Sequence, residues 1–104
     1  MPVATMQGRE IHLDDEGFLT EPSEWDAELA RELAANIGVE LTDRHREVID
    51  FARADAAEQG ETPTLRRIQS VGGFPTKELC QLFPKKPAKK LSYIAGLQKP
   101  VGCV

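Results

Sequence analysis

Ser23-Glu24-Trp25-Asp26-Ala27-Glu28-Leu29-Ala30-Arg31-Glu32-Leu33-Ala34-Ala35-Asn36-Ile37-Gly38 is the stretch whose periodicity decides the fold. Trp25, Leu29, Leu33 and Ile37 recur at every fourth position with Ala30 and Ala34 beside them, which draws one apolar stripe along a helix. Ser23 after Pro22 is a good N-cap, and Glu24, Asp26 and Glu28 place anions at the positive end of the helix dipole. Gly38 ends the segment, so the spacing predicts a one-sided helix over about residues 24–37. A helix with a single apolar face is stable only when other elements cover that face, and Trp25 reads as its core anchor.

The covering elements follow towards the C terminus. Thr42 caps a second helix in which Val48, Ile49, Phe51, Ala52 and Ala56 form the stripe and Gly60 is the stop. Thr64 caps a short helix, Leu65 to Val71, and Thr76 caps another, Lys77 to Phe83, with Gly72-Gly73 between them and Pro84 after. Cys80, beside Leu79, Leu82 and Phe83, reads as a small buried hydrophobe. Pro87 opens a last helix from Ala88 to about Ala95, with Leu91, Ile94 and Ala95 turned inward. Before the first helix, Pro2 to Gln7 and Glu10 to Leu13 read as a small β-hairpin joined by Gly8-Arg9, followed by a turn at Asp14-Asp15-Glu16-Gly17 and then Phe18-Leu19. Two such strands are too few to stand alone and must lean on the helices.

A chain of 104 residues with 40% hydrophobic residues is expected to fold as one domain, mainly α, spanning residues 1–95, with residues 96–104 as a flexible C-terminal arm. No apolar run approaches the ~20 residues needed to cross a bilayer, so no membrane partner is expected. Met1 to Gly8 lacks the charged start and apolar middle of a signal peptide, which points to the cytoplasm. In a reducing compartment Cys80 and Cys103 are not expected to form a structural bridge.

The net charge of −4 conceals a division. Residues 1–60 carry five arginines and no lysine against fifteen acids, a net of −10, whereas residues 61–104 carry eight Lys and Arg against two glutamates, a net of +6. Lys85-Lys86-Pro87-Ala88-Lys89-Lys90 is the centre of the basic half, suited to acidic protein surfaces, to nucleic acid, or simply to solvent.

His45 and His12 have no second ligand at convincing spacing, so no metal is expected, and no phosphate loop, paired catalytic carboxylates or nucleophile-plus-base motif points to a cofactor or a stand-alone catalyst. Chemistry is concentrated instead at the end, Gly96-Leu97-Gln98-Lys99-Pro100-Val101-Gly102-Cys103-Val104. A penultimate cysteine behind Gly and Pro sits where no core forms around it. Eight or so extended residues span roughly 25 Å, enough to carry a sulfur into a pocket of another protein. An ordinary thiol has a pKa of about 8.5, raised by the carboxylate of Val104 and lowered by Lys99, so Cys103 acts as nucleophile or sulfur acceptor mainly once docked. The residues alone leave two readings open: a carrier arm, or a tail whose cysteine is accidental.

The run Leu82-Phe83-Pro84-Lys85-Lys86-Pro87-Ala88-Lys89, with Ile94-Ala95-Gly96-Leu97 and Lys99-Pro100-Val101-Gly102-Cys103-Val104, resembles the DsrC/TusE family of sulfur-relay proteins, also described as gamma subunits of dissimilatory sulfite reductase. Gly8-Arg9-Glu10-Ile11, Asp15-Glu16-Gly17-Phe18-Leu19, Trp25 and Pro63-Thr64-Leu65-Arg66 extend the likeness through most of the chain. The resemblance implies a small orthogonal helical bundle with an N-terminal β-hairpin, and a penultimate cysteine, here Cys103, that carries sulfur as a persulfide. Members that work with sulfite reductase have a second cysteine where this chain has Ser92, so the resemblance is to the TusE branch. That branch takes sulfur from a TusBCD-type complex and hands it to the thiouridylase–tRNA complex that makes 2-thiouridine. Tyr93 and Gln98 stand where a basic residue and a Pro are usual, and Gly72-Gly73-Phe74 is a shorter connection than usual.

Two further readings stand beside the sulfur carrier. One is a sulfite-reductase partner that has lost the arm disulfide. The other is a DNA-binding regulator using the helix pair from Thr64 to Phe83 as a helix-turn-helix; it ranks lower, because Lys77 and Gln81 alone face the bases where a reader needs three or four side chains.

Overall fold

A computed structural model of the chain describes residues 3–6 and 9–98. Strands β1 (Val3–Met6) and β2 (Arg9–His12) form an antiparallel hairpin in the register Val3 to His12 and Met6 to Arg9. The turn that follows is built by Asp14, whose Oδ1 accepts from the N–H groups of Glu16 and Phe18, both at 2.9 Å. A bridge between Leu13 and Leu19 then closes the loop.

Helix α1 runs Ala27–Asn36, later than the periodicity predicts. A 3-10 turn, Pro22–Glu24, precedes it, and Asp26 rather than Ser23 is the N-cap, accepting from Leu29 N–H at 2.8 Å. The delay has a physical cause. Glu24 is committed to the hairpin, accepting from His12 N–H at 2.9 Å and meeting its Nδ1 at 2.6 Å, and Trp25 is committed to the far end of the chain, so neither joins the regular helix.

Helix α2 (Asp43–Gln59) starts and stops as predicted, with Thr42 as N-cap and Gly60 as C-cap. Helix α3 (Leu65–Ser70) is capped by Thr64, whose hydroxyl accepts from Arg67 N–H at 3.2 Å. Helix α4 (Thr76–Leu82) departs in one respect: Pro75 is its N-cap, and Thr76 instead donates its hydroxyl to Gln69 Oε1 at 2.6 Å, tying α4 back to α3. Helix α5 (Pro87–Ile94) begins on its proline.

The result is mainly helical, with α5 packed against α1, α2 and α4. Val48, Ile49, Ala52, Ile68, Leu79, Phe83, Leu91 and Ile94 form the main core, while Ile11, Leu19, Leu29 and Leu33 fill a smaller one between the hairpin and α1. Trp25 and Tyr93 touch both cores and so join the hairpin layer to the bundle.

Candidate functional site

The C-terminal segment leaves the body at the end of α5, where helix geometry leaves the last carbonyls without an intrahelical partner. Two side chains distant in sequence take them up, one from the segment before α1 and one from α2. Trp25 Nε1–H donates to Ile94 O at 2.8 Å, and Arg53 Nη1 donates to Ala95 O at 2.7 Å. The Arg53 guanidinium also lies over the Trp25 ring, 4.1 Å from its centroid, so the two clamps brace each other. Burial pulls the Arg53 pKa down from its ordinary value, with Asp50 opposing; a guanidinium starts so high that it keeps its charge.

The chain then turns at Gly96 with φ +71°, the left-handed region that glycine enters freely. A Cβ there would lie 2.5 Å from Trp25 Cδ1. Beyond the turn Leu97 is buried and donates its N–H to Ser92 O at 2.9 Å, and Thr62 Oγ1 donates to Gln98 O at 2.9 Å. The body therefore holds the backbone through Gln98. Lys99, Pro100, Gly102, Cys103 and Val104 lie outside the described residues; covalent geometry alone limits the Gln98-to-Cys103 span to about 17 Å.

The other residues singled out from sequence divide as follows. Ser92 is buried and donates its hydroxyl to Ala88 O at 2.8 Å, so this side chain faces the bundle and its donor is in use. Tyr93 meets Phe18 edge-on at 6.0 Å. Cys80 is a correction: it is an exposed free thiol, because Leu79 and Phe83 take the inward face of α4 and leave the next position turned outward. His45 is buried; its Nδ1 accepts from Thr42 N–H at 3.1 Å and its Nε2 donates to Leu82 O at 2.8 Å, which uses both ring nitrogens. Among the described residues no three His, Cys, Asp or Glu side chains converge on a point that would hold a metal ion, and no helix is long and apolar enough to cross a membrane. Of the basic residues in the helix pair, Arg67 is committed to the buried carboxylate of Asp55 at 2.7 Å.

Arg53 and Thr62 escaped the sequence reading. Arg53 lies among the polar positions of α2 with nothing to distinguish it from a solvated arginine, and its partner is 42 residues away.

Comparison with known proteins gives this geometry a context. The family model described as DsrC like protein matches residues 5–104. The chain belongs to the DsrC-like family. It is 40% identical over 105 residues to the sulfurtransferase TusE of Salmonella typhimurium (strain LT2), covering 94% of this chain and 96% of that protein. The solution structure of DsrC from Allochromatium vinosum superposes with a TM-score of 0.82 at 32% identity, covering 98% of this chain and 97% of that one. The DsrC/gamma subunit of dissimilatory sulfite reductase from Pyrobaculum aerophilum gives 0.81 at 30% identity, covering 99% and 95%. The DsrC-like fold, inferred from the end motif and the helical periodicity, is thus the fold observed.

Proposed function

We propose that this DsrC-like protein is a sulfur carrier whose loaded atom is the sulfur of Cys103. The observation that carries the reading is the family match running to residue 104, across the penultimate cysteine, in a chain 40% identical to a protein named sulfurtransferase TusE. In loading, the Cys103 thiolate attacks the outer sulfur of a donor persulfide; that sulfur forms a new S–S bond to Cys103, the donor S–S bond breaks, and the donor leaves as a thiolate that takes up a proton. Sulfane sulfur is exchanged with no net oxidation. Delivery repeats the step in reverse roles, with an acceptor thiolate attacking the outer sulfur of the Cys103 persulfide.

The TusE relatives favour a TusBCD-type complex as donor and a thiouridylase–tRNA complex as acceptor, in 2-thiouridine synthesis in the cytoplasm. A lone arm cysteine agrees with a pure relay, because Ser92 supplies a hydroxyl where a second thiol would be needed to close a disulfide with Cys103. Similarity to the sulfite-reductase gamma subunit favours a second reading, a reductase partner, which co-purification with reductase subunits would support.

In the full chain carrying Cys80→Ser, which removes the exposed second thiol, incubation with a persulfide donor should add the mass of one sulfur atom to the intact protein, reversible by thiol reductant. Persistence of that addition in Cys80→Ser/Cys103→Ser overturns the assignment.

A further inference from the structure

The lysines of the basic junction line a cleft of about 550 Å³ between the start of α5 and the loop after β2. Its lining combines Lys85, Lys86, Lys89 and Lys90 with the apolar surfaces of Phe18, Ile37 and Tyr93, and Glu16 stands with them. Lys90 is already engaged, donating to Pro84 O. Among the described residues no carboxylate forms an ion pair with Lys85, Lys86 or Lys89. Lys85 and Lys86 also adopt consecutive left-handed backbone conformations, φ 60° and 49°, unusual for residues other than glycine.

We infer that this cleft is the docking site for an acidic segment of the protein that exchanges sulfur with Cys103, a segment that seats one apolar side chain among Phe18, Ile37 and Tyr93 and lays its carboxylates against the lysines. The inference deepens the carrier reading and rests on it for the identity of the partner. Charge and the apolar lining select this occupant. A cleft of this volume has room for a large side chain together with its neighbours in a short segment, and its apolar walls reward burial of such a group. A nucleic-acid backbone, with a charge at every nucleotide, could pair with the lysines, but its phosphates would leave the apolar walls of the cleft unfilled.

Position supports it as well. Lys86 is the N-cap of α5, Lys89 and Tyr93 lie on the helix, and the clamped segment begins directly after it. Eight helical residues measure about 12 Å, and Gln98 to Cys103 spans up to about 17 Å. A partner seated in the cleft therefore sits close to the point from which the segment bearing Cys103 departs.

The test is a titration of the isotopically labelled full chain, followed by backbone amide shifts, with the amidated peptide Glu-Asp-Phe-Glu-Glu, its Phe-to-Ala form, and an oligouridylate of equal charge. Shifts are expected at Gly17, Ile37 and Tyr93. Affinity should fall at least tenfold on removing the phenyl ring and at least tenfold in the double variant Lys86→Glu/Lys89→Glu, and the oligouridylate should bind at least tenfold more weakly than the peptide. Absence of peptide binding, shifts elsewhere, indifference to the lysine reversal, or equal binding by the oligouridylate overturns the inference. Peptide binding does not involve Cys103, so loss of persulfide loading strikes the carrier reading alone, and loss of peptide binding with loading intact strikes the cleft alone.

Discussion

Gly96 is the residue on which the exit of the C-terminal segment depends, since it combines a left-handed φ with an approach to Trp25 that excludes any Cβ. Both the backbone and the ring oppose alanine there, so Gly96→Ala should destabilise the protein by about 2 kcal/mol or more. In a domain of this size that corresponds to a melting temperature lower by roughly 10 °C, and a thermal melt checks it. A shift below about 2 °C would mean that Trp25 moves aside without cost.

His12 gives the second residue-scale prediction. The hydrogen bond to Glu24, and then its negative charge, raise the His12 pKa above the ordinary 6.5. A raised folded-state pKa means that the stabilisation is complete below the unfolded value and is lost as pH rises through the folded value. Proton NMR titration should therefore give a His12 midpoint above 6.5 that falls back towards it in Glu24→Gln. The stability difference between the two proteins should shrink as pH rises from about 6 to about 9. A difference that grows with pH contradicts the assignment.

At the scale of elements, what could be read from sequence was whatever is local. Thr42 and Thr64 cap their helices, and Gly60 stops α2, because a hydroxyl three residues before a free N–H and a glycine in a left-handed turn act within a few residues. Thr42→Ala removes a cap that also fixes His45, and a loss of about 1 kcal/mol in a denaturant melt is expected. Where a long-range partner outbid the local signal, the sequence reading failed. Ser23 lost the cap of α1 because Glu24 and Trp25 were drawn to His12 and Ile94, and Thr76 lost the cap of α4 to Gln69. Cys80 was misplaced by counting apolar neighbours along the chain instead of around the helix. Its exposure predicts that a maleimide labels it in the native protein of the variant Cys103→Ser, without denaturant; labelling that required unfolding would restore the buried reading.

Across the whole molecule, the two cores and the C-terminal segment meet at one helix. Helix α5 packs on α1, α2 and α4, presents the lysine cleft at its start and surrenders its last carbonyls to Trp25 and Arg53 at its end. None of this coupling was legible, because Trp25 and Ile94 are 69 residues apart and no periodicity links them. It has a mechanical consequence. On the proposed carrier reading, the clamp fixes the point from which the segment bearing Cys103 departs, while the sulfur chemistry itself needs only the thiol. Arg53→Met keeps the aliphatic stem but removes the bond to Ala95 O. The amide of Leu97, now bonded to Ser92 O at 2.9 Å, should then exchange with deuterium at least tenfold faster, whereas amides in the middle of α2 should be unchanged. Loading of Cys103 by a small persulfide should proceed at the wild-type rate, and transfer to a docked protein acceptor should slow. If transfer to the acceptor and exchange at Leu97 both remain at wild-type values, Arg53 is only a surface contact of Trp25 and the segment's point of departure is set by the burial of Leu97 alone.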